Sequence, residues 1–162
     1  MKLLVLHHEP SWWVWLVTAL LLAVGLAGEP AGFAAAIGVS LLQTGYHFVR
    51  AQQSWKPFPV QIRVGYTALL VAGLLPFLHW LNWLPAVGTT AFLLFGYCPM
   101  ARLLSLVAWN RAEPLSFDLL RRTFLTPPMM GNPRHGLPAP RYFAGVCELE
   151  ARIAATTKPS LL

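Results

Sequence analysis

The chain has 162 residues, 56% hydrophobic and only 11% charged, where an ordinary soluble domain carries about a quarter charged residues. Its net charge of +6 and pI near 9.9 raise nucleic acid as a partner. No basic run interleaved with aromatics occurs, however, and basic residues in so apolar a chain belong more naturally beside anionic lipid. The composition disfavours several soluble domains and a nucleic-acid partner, and reads as one membrane domain.

A charge-free run from Ser11 to Gly28 predicts the first helix, over Trp12 to Ala27. Lys2 before it and the small residues Gly25 and Ala27 imitate a signal peptide, but Glu9 and Pro10 in the flank and a long, Trp-rich apolar run favour a retained anchor. The next run, Pro30 to Val49, predicts a helix over Ala31 to Val49. From Val64 to Ala101 there is no Asp, Glu, Lys or Arg. That is chain enough for two crossings at about 20 residues each, and it predicts helices over Val60 to Leu81 and Ala86 to Trp109.

The expected fold class is therefore all-α: a polytopic integral membrane protein, an antiparallel bundle of four transmembrane helices over residues 1–110 with a cytoplasmic amphipathic tail over 111–162. The short connections Gly28-Glu29-Pro30 and Asn82-Trp83-Leu84-Pro85 force antiparallel neighbours. Arg50 and Lys56 between the second and third helices, Arg63 just inside the third, and the arginines of the tail assign both termini to the cytoplasm. Pro76 and Pro99 are expected to kink the third and fourth helices. Ala34 with Gly38, and Ala68 with Ala72, repeat at i,i+4 and are candidate helix-packing positions, although small residues are common in such helices.

In the tail, Glu113 and Asp118 precede Arg121 and Arg122, an order that complements a helix dipole. Phe117, Leu120 and Phe124 supply one apolar stripe, so an interfacial helix is predicted over about 114–125, with Pro114 in its first turn. A Pro- and Gly-rich linker from Met129 to Pro140 follows, then a terminal amphipathic helix over about 142–156 that presents Val146, Leu149 and Ile153.

The histidines His7, His8, His47, His79 and His135 invite a haem or metal reading, because imidazole is a usual ligand. His47 closes the second helix and His79 lies near the far end of the third. Most of a ~30 Å hydrocarbon layer would separate them, so one haem cannot take both. His7-His8-Glu9 lacks a defined third ligand. Cys98 and Cys147 have no CxxC spacing. There is no GxSxG, HExxH or phosphate-cradling glycine loop, and the predicted spans hold no carboxylate for a proton relay. No catalytic residue, metal or cofactor is assigned, and an enzymatic reading would require a bound cofactor.

Arg102 stands out, about 10 Å from the inner end of the fourth predicted helix, where a charge is costly unless hydrated or paired. Gln43, Tyr46 and His47 are expected at similar depth on the second helix, Arg63 and Tyr66 on the third, and Cys98 one turn from Arg102. Together they would make a cationic, aromatic-lined pocket for an anion, a lipid headgroup or a quinone. The alternative is that Arg102 snorkels to the interface or pairs with Glu113 or Asp118.

The run Gly96-Tyr97-Cys98-Pro99, with its surroundings from Arg63 to about Leu106, resembles small uncharacterised bacterial inner-membrane hairpin proteins, some of them linked to rhodanese domains. In those a Gly-aromatic-Cys-Pro run closes the second helix. This chain has no rhodanese domain and two further predicted helices. The resemblance implies a bacterial inner-membrane location and a sulfur-handling role for Cys98, whereas the residue type alone reads as a small apolar side chain. Two functional expectations follow. One is a non-catalytic accessory or scaffold subunit, with membrane lipids and a membrane-protein partner or a second copy of itself as partners. The other is a small oligomeric transporter or lipid-, quinone- or anion-binding bundle that uses the Arg63 and Arg102 region.

Overall fold

A computed structural model describes residues 10–127 and 136–139, and within them the chain is all-helical. Proline sets where most helices begin. α1 (Pro10–Leu26), α2 (Pro30–Arg50), a 3-10 helix (Pro76–Asn82) and α5 (Pro99–Ser105) start on proline, and α3 (Phe58–Ala72) carries Pro59 in its first turn. A first-turn amide has no partner within its helix, so the missing proline N–H costs nothing there. α4 (Trp83–Phe95) and α6 (Phe117–Leu125) complete the described elements.

The expected bundle of four transmembrane helices is overturned. Among the described residues no single helix is both long and apolar enough to cross a membrane. α1 with 17 residues and α3 with 15 fall short of the roughly 20 required. α2 has 21, but Ser40, Gln43, Thr44, His47 and Arg50 dilute its apolarity. The third predicted helix stops at Ala72, and the chain reverses over residues 73–75, where the Asn82 amide donates to the Gly73 carbonyl at 2.9 Å. The 3-10 helix then runs straight into α4, so the expected turn from Asn82 to Pro85 is helical. The fourth predicted helix breaks too. Gly96 caps α4 with a left-handed φ of 72°, and α5 departs by 102° from the Pro76–Phe95 direction. Pro76 and Pro99 begin separate helices where only kinks were expected. The bent pair Pro76–Phe95 with Pro99–Ser105 meets the length and apolarity requirement jointly, as a broken span or re-entrant loop would.

Packing is antiparallel. α1 lies along α2, α2 along α3, and α4 returns along α1. Trp12 at the start of α1 donates its indole N–H to the Leu93 carbonyl near the end of α4 at 3.4 Å. At the other end His79 of the 3-10 helix packs edge-on against Phe33 of α2, 5.3 Å between ring centres. His79 thus sits at the first turns of α2 and His47 at its last, about 20 Å apart along that helix. Hydroxyls join α2 to α3: Ser40 and Thr67 share a hydrogen bond at 2.6 Å, and Thr44 approaches Thr67 at 3.2 Å.

Close backbone contact between α1 and α2 falls on Gly25 and Gly32. A Cβ added at Gly32 would lie 2.5 Å from the Gly25 nitrogen and the Leu21 carbonyl, and Leu22 and Ala36 beside them are fully buried. The predicted packing positions lie elsewhere: Ala34, Gly38 and Ala68 are exposed and Ala72 is half-buried. Residues 32, 36 and 40 face the neighbours, and two residues on, about 200° round the helix, positions 34 and 38 face away.

The tail helix is shorter than predicted and turned round. Ser116 caps α6 through its side chain, which accepts from the Leu119 amide at 3.1 Å, so Pro114 lies outside the helix. The buried side is Leu119 and Thr123, whereas Phe117 and Phe124 of the predicted stripe are exposed. The terminal helix expected over 142–156, with His7, His8, His135 and Cys147, lies outside the described residues.

The two glycine environments are separable by mutation. Gly32→Ala is expected to destabilise the fold by about 1–3 kcal/mol through backbone overpacking. Gly38→Ala, with nothing within 4 Å of its added Cβ, is expected to be neutral or stabilising by up to about 1 kcal/mol. Thermal unfolding followed by circular dichroism at 222 nm checks both.

Candidate functional site

α3 and α4 scarcely touch, although only the 3-10 helix separates them in the chain. Tyr66 on α3 reaches across to α4, its hydroxyl 2.7 Å from that of Thr89. α5, turned away from α4, closes one end of the space between them. The result is a half-open cavity of about 460 Å3, within the ~300–1,000 Å3 range of small-molecule sites.

The cavity is polarised along its length. Towards the start of α3 and on α5 it is lined by Arg63, Tyr66, Cys98 and Arg102. Towards the start of α4 it is lined by Leu69, Trp83, Leu84 and Pro85, with Phe92 and Met100 between. Both arginines are buried, at 4% and 3% exposure, so these are interior charges. Each guanidinium lies over an aromatic ring: Arg63 5.5 Å from the centre of Trp15, and Arg102 4.3 Å from that of Tyr97. Such stacking is attractive for arginine because its planar cation meets the negative ring face. Trp15 is itself fixed by edge-on contact with Tyr66 at 4.9 Å and Phe92 at 6.1 Å.

Arg102 does not pair with Glu113 or Asp118 through any ion pair that the structure shows. Its guanidinium donates to the Thr123 carbonyl of α6. Tyr97 makes a parallel link, its hydroxyl donating to the Phe124 carbonyl at 2.8 Å. α6 is thereby held against the cavity, and Phe124 and Leu137 contribute to its wall. Glu113 fastens the same region. One carboxylate oxygen accepts from the Ala139 amide at 2.8 Å and the other from Arg122 at 2.6 Å.

Of the expected pocket residues, the structure brings together Arg63, Tyr66, Cys98 and Arg102. Gln43, Tyr46 and His47 are not in its wall. Tyr46 and His47 form a separate group at the end of α2, their rings 5.2 Å apart, with Arg50 donating to the Tyr46 hydroxyl at 3.1 Å. They are excluded because α2 packs against α3 on the side away from α4. Sequence reasoning missed Trp15, Thr89, Tyr97 and Thr123. A tryptophan one turn inside α1 reads as an interfacial anchor, and only the packing turns it toward Arg63. Among the described residues no three His, Cys, Asp or Glu converge as metal ligands would. Cys98 sits at the N-cap of α5, half-buried.

Comparisons with protein-family models, with curated proteins and with solved structures gave no match to this chain.

The Ala139 amide, and with it Arg122, holds the Glu113 carboxyl below the usual carboxylate range. A depressed carboxylate stabilises the fold above its unfolded pKa, and that contribution is lost as pH falls through the folded value. The Ala139 amide chemical shift is therefore expected to titrate with a midpoint below the ~4.3 of an ordinary glutamate. In Glu113→Gln this titration disappears.

Proposed function

We propose that this chain is a non-catalytic helical protein of the bacterial inner membrane, embedded through the outward faces of its helices, and that it serves as an accessory or scaffold subunit for a membrane-protein partner or a second copy of itself. The observation that carries this reading is the distribution of exposed side chains. Trp13, Val17, Leu20 and Val24 form an exposed stripe along α1, and Phe77, Trp80, Leu84 and Val87 another along the 3-10 helix and α4. Steps of three and four residues put each set on one helix face. Apolar surface of this extent marks contact with lipid or with protein.

Exposed positive charge gathers at one end, with Arg50 and Lys56 where α2 gives way to α3 and Arg121 and Arg122 on α6. That end suits an anionic cytoplasmic headgroup layer. At the opposite end the turn between α1 and α2 exposes Glu29. The bacterial setting rests on the resemblance carried by Gly96-Tyr97-Cys98-Pro99. The scaffold half of the proposal draws on Ala34 and Gly38, small and exposed on α2, where a partner helix could approach closely.

Membranes from cells making the full chain, washed with alkaline carbonate, are expected to retain it, and recovery in the wash overturns the membrane reading. In gently extracted material Gly38→Leu is expected to lower the assembled fraction seen by native mass spectrometry at least threefold, with helix content unchanged. An unaltered assembled fraction removes the packing role.

A further inference from the structure

The space between α3 and α4 is walled almost wholly by apolar side chains, among them the rings of Trp15, Trp83, Phe92 and Phe124. Its few polar groups are already engaged. The Arg102 guanidinium donates to the Thr123 carbonyl and lies over Tyr97, and that of Arg63 lies over Trp15. The hydroxyls of Tyr66 and Thr89 bond to each other at 2.7 Å. Cys98 adds only a weakly polar thiol. A charged or strongly polar solute would shed its water here without gaining partners in return, which is costly. An apolar solute gains by burial, and apolar cavities in proteins take up such solutes readily.

Size and shape narrow the class further. On α4 the wall runs from Trp83 through Phe92 to Gly96, about 20 Å at the helical rise. A volume of about 460 Å3 spread over that length is long and narrow, with room for one extended hydrocarbon chain. The wall residues exposed at the surface are Trp83, Leu84, Val87, Leu103 and Phe124, all apolar. The mouth therefore offers no polar side chain to a headgroup. We propose that the cavity binds a free, uncharged molecule built on a single hydrocarbon chain, which enters through this apolar mouth and lies along α4. Leu84 and Val87 belong also to the outward stripe of α4, so the mouth opens on surface suited to the apolar phase in which such a molecule dissolves. The Tyr66 to Thr89 hydrogen bond joins α3 to α4 and keeps the two helices at a set separation. The inference goes beyond the accessory role and requires neither that role nor a partner protein.

The test is photolabelling of the full chain in a homogenate of the cells that make it, which works wherever in the cell the chain resides. Hexadecane bearing a mid-chain diazirine is added, the sample is illuminated, and adducts are located by mass spectrometry of peptides from the purified chain. Adducts are expected on Leu69, Phe92 and Met100 of the wall. They are expected to saturate with probe concentration and to fall at least tenfold with excess unlabelled hexadecane. Labelling of the outward α1 stripe at Trp13, Val17 and Leu20 is expected to rise without saturation and to resist that competition. Hexadecyl sulfate is expected to compete at least tenfold less well than hexadecane, and phosphatidylcholine with the diazirine in one acyl chain to leave the wall unlabelled. Equal competition by hexadecyl sulfate overturns the assignment of an uncharged ligand. Wall labelling from phosphatidylcholine overturns the free ligand in favour of a bilayer lipid's own chain. Wall adducts that are missing, or that resist competition, overturn the site. Leu69→Trp, which puts an indole into the space, is expected to lower the Phe92 and Met100 adducts at least tenfold and to leave the α1 labelling unchanged. The wild-type competition decides these points even where Leu69→Trp fails to fold.

Discussion

A proline has no amide hydrogen to give, and in this chain that one deficiency governs the architecture. Inside a helix it forfeits a backbone bond and crowds the preceding turn, but at a helix start nothing is lost. The chain resolves the conflict by restarting helices at Pro30, Pro76 and Pro99. Pro76 and Pro99 divide an uninterrupted apolar stretch into a 3-10 helix running into α4 and a separate α5, neither of which is by itself long and apolar enough to be the span its hydropathy suggests. Gly96 assists at the second break, because its left-handed φ of 72° ends α4 without the steric penalty a side chain would bring.

The cavity is a product of those breaks. The reversal after Ala72 sends α4 back along α1 and leaves α3 and α4 apart, and the bend after Gly96 swings α5 across the lower end of the gap. Arg102, carried on α5, then meets Tyr97 and the carbonyl of Thr123, while Arg63 on α3 meets Trp15 of α1. Two interior charges are thus held by elements that converge only in three dimensions. α6 shares the arrangement: the Arg102 and Tyr97 bonds to its Thr123 and Phe124 carbonyls hold its last turn in place, with Leu119 and Thr123 buried and Phe117 exposed.

Much of the first half was legible. α1 and α2 fall within a few residues of their predicted limits, since Pro30 and the charged Arg50 bracket α2 and a Gly-Glu-Pro turn leaves little freedom between the two helices. α3 to α5 were not, because hydropathy registers apolar content and is silent about where an apolar chain reverses. Pro76 reads equally well as a kink within one helix or as the start of another. The small-residue positions failed for a similar reason. Gly32 and Ala36 repeat at the same spacing as Ala34 and Gly38, and only the direction in which α1 and α3 lie selects one face over the other. In the site, Arg63, Tyr66, Cys98 and Arg102 were found together because they share a depth, and Gln43, Tyr46 and His47 were wrongly included because depth does not reveal which side of α3 a neighbour occupies.

By itself the sequence determined an all-helical chain, its first helical hairpin, the gathering of exposed positive charge at one end, and the oddity of arginines in apolar surroundings. These follow from composition and local spacing, which act over a few residues. The tertiary structure alone decided that the long apolar run folds as short, bent pieces, that glycines 25 and 32 carry a close helix contact, that Trp15 and Thr89 help to line the cavity, and that Tyr97 and Thr123 engage Arg102. Those outcomes depend on which helix faces meet. Side chains far apart in the sequence settle that choice by fitting together, and no local pattern encodes it.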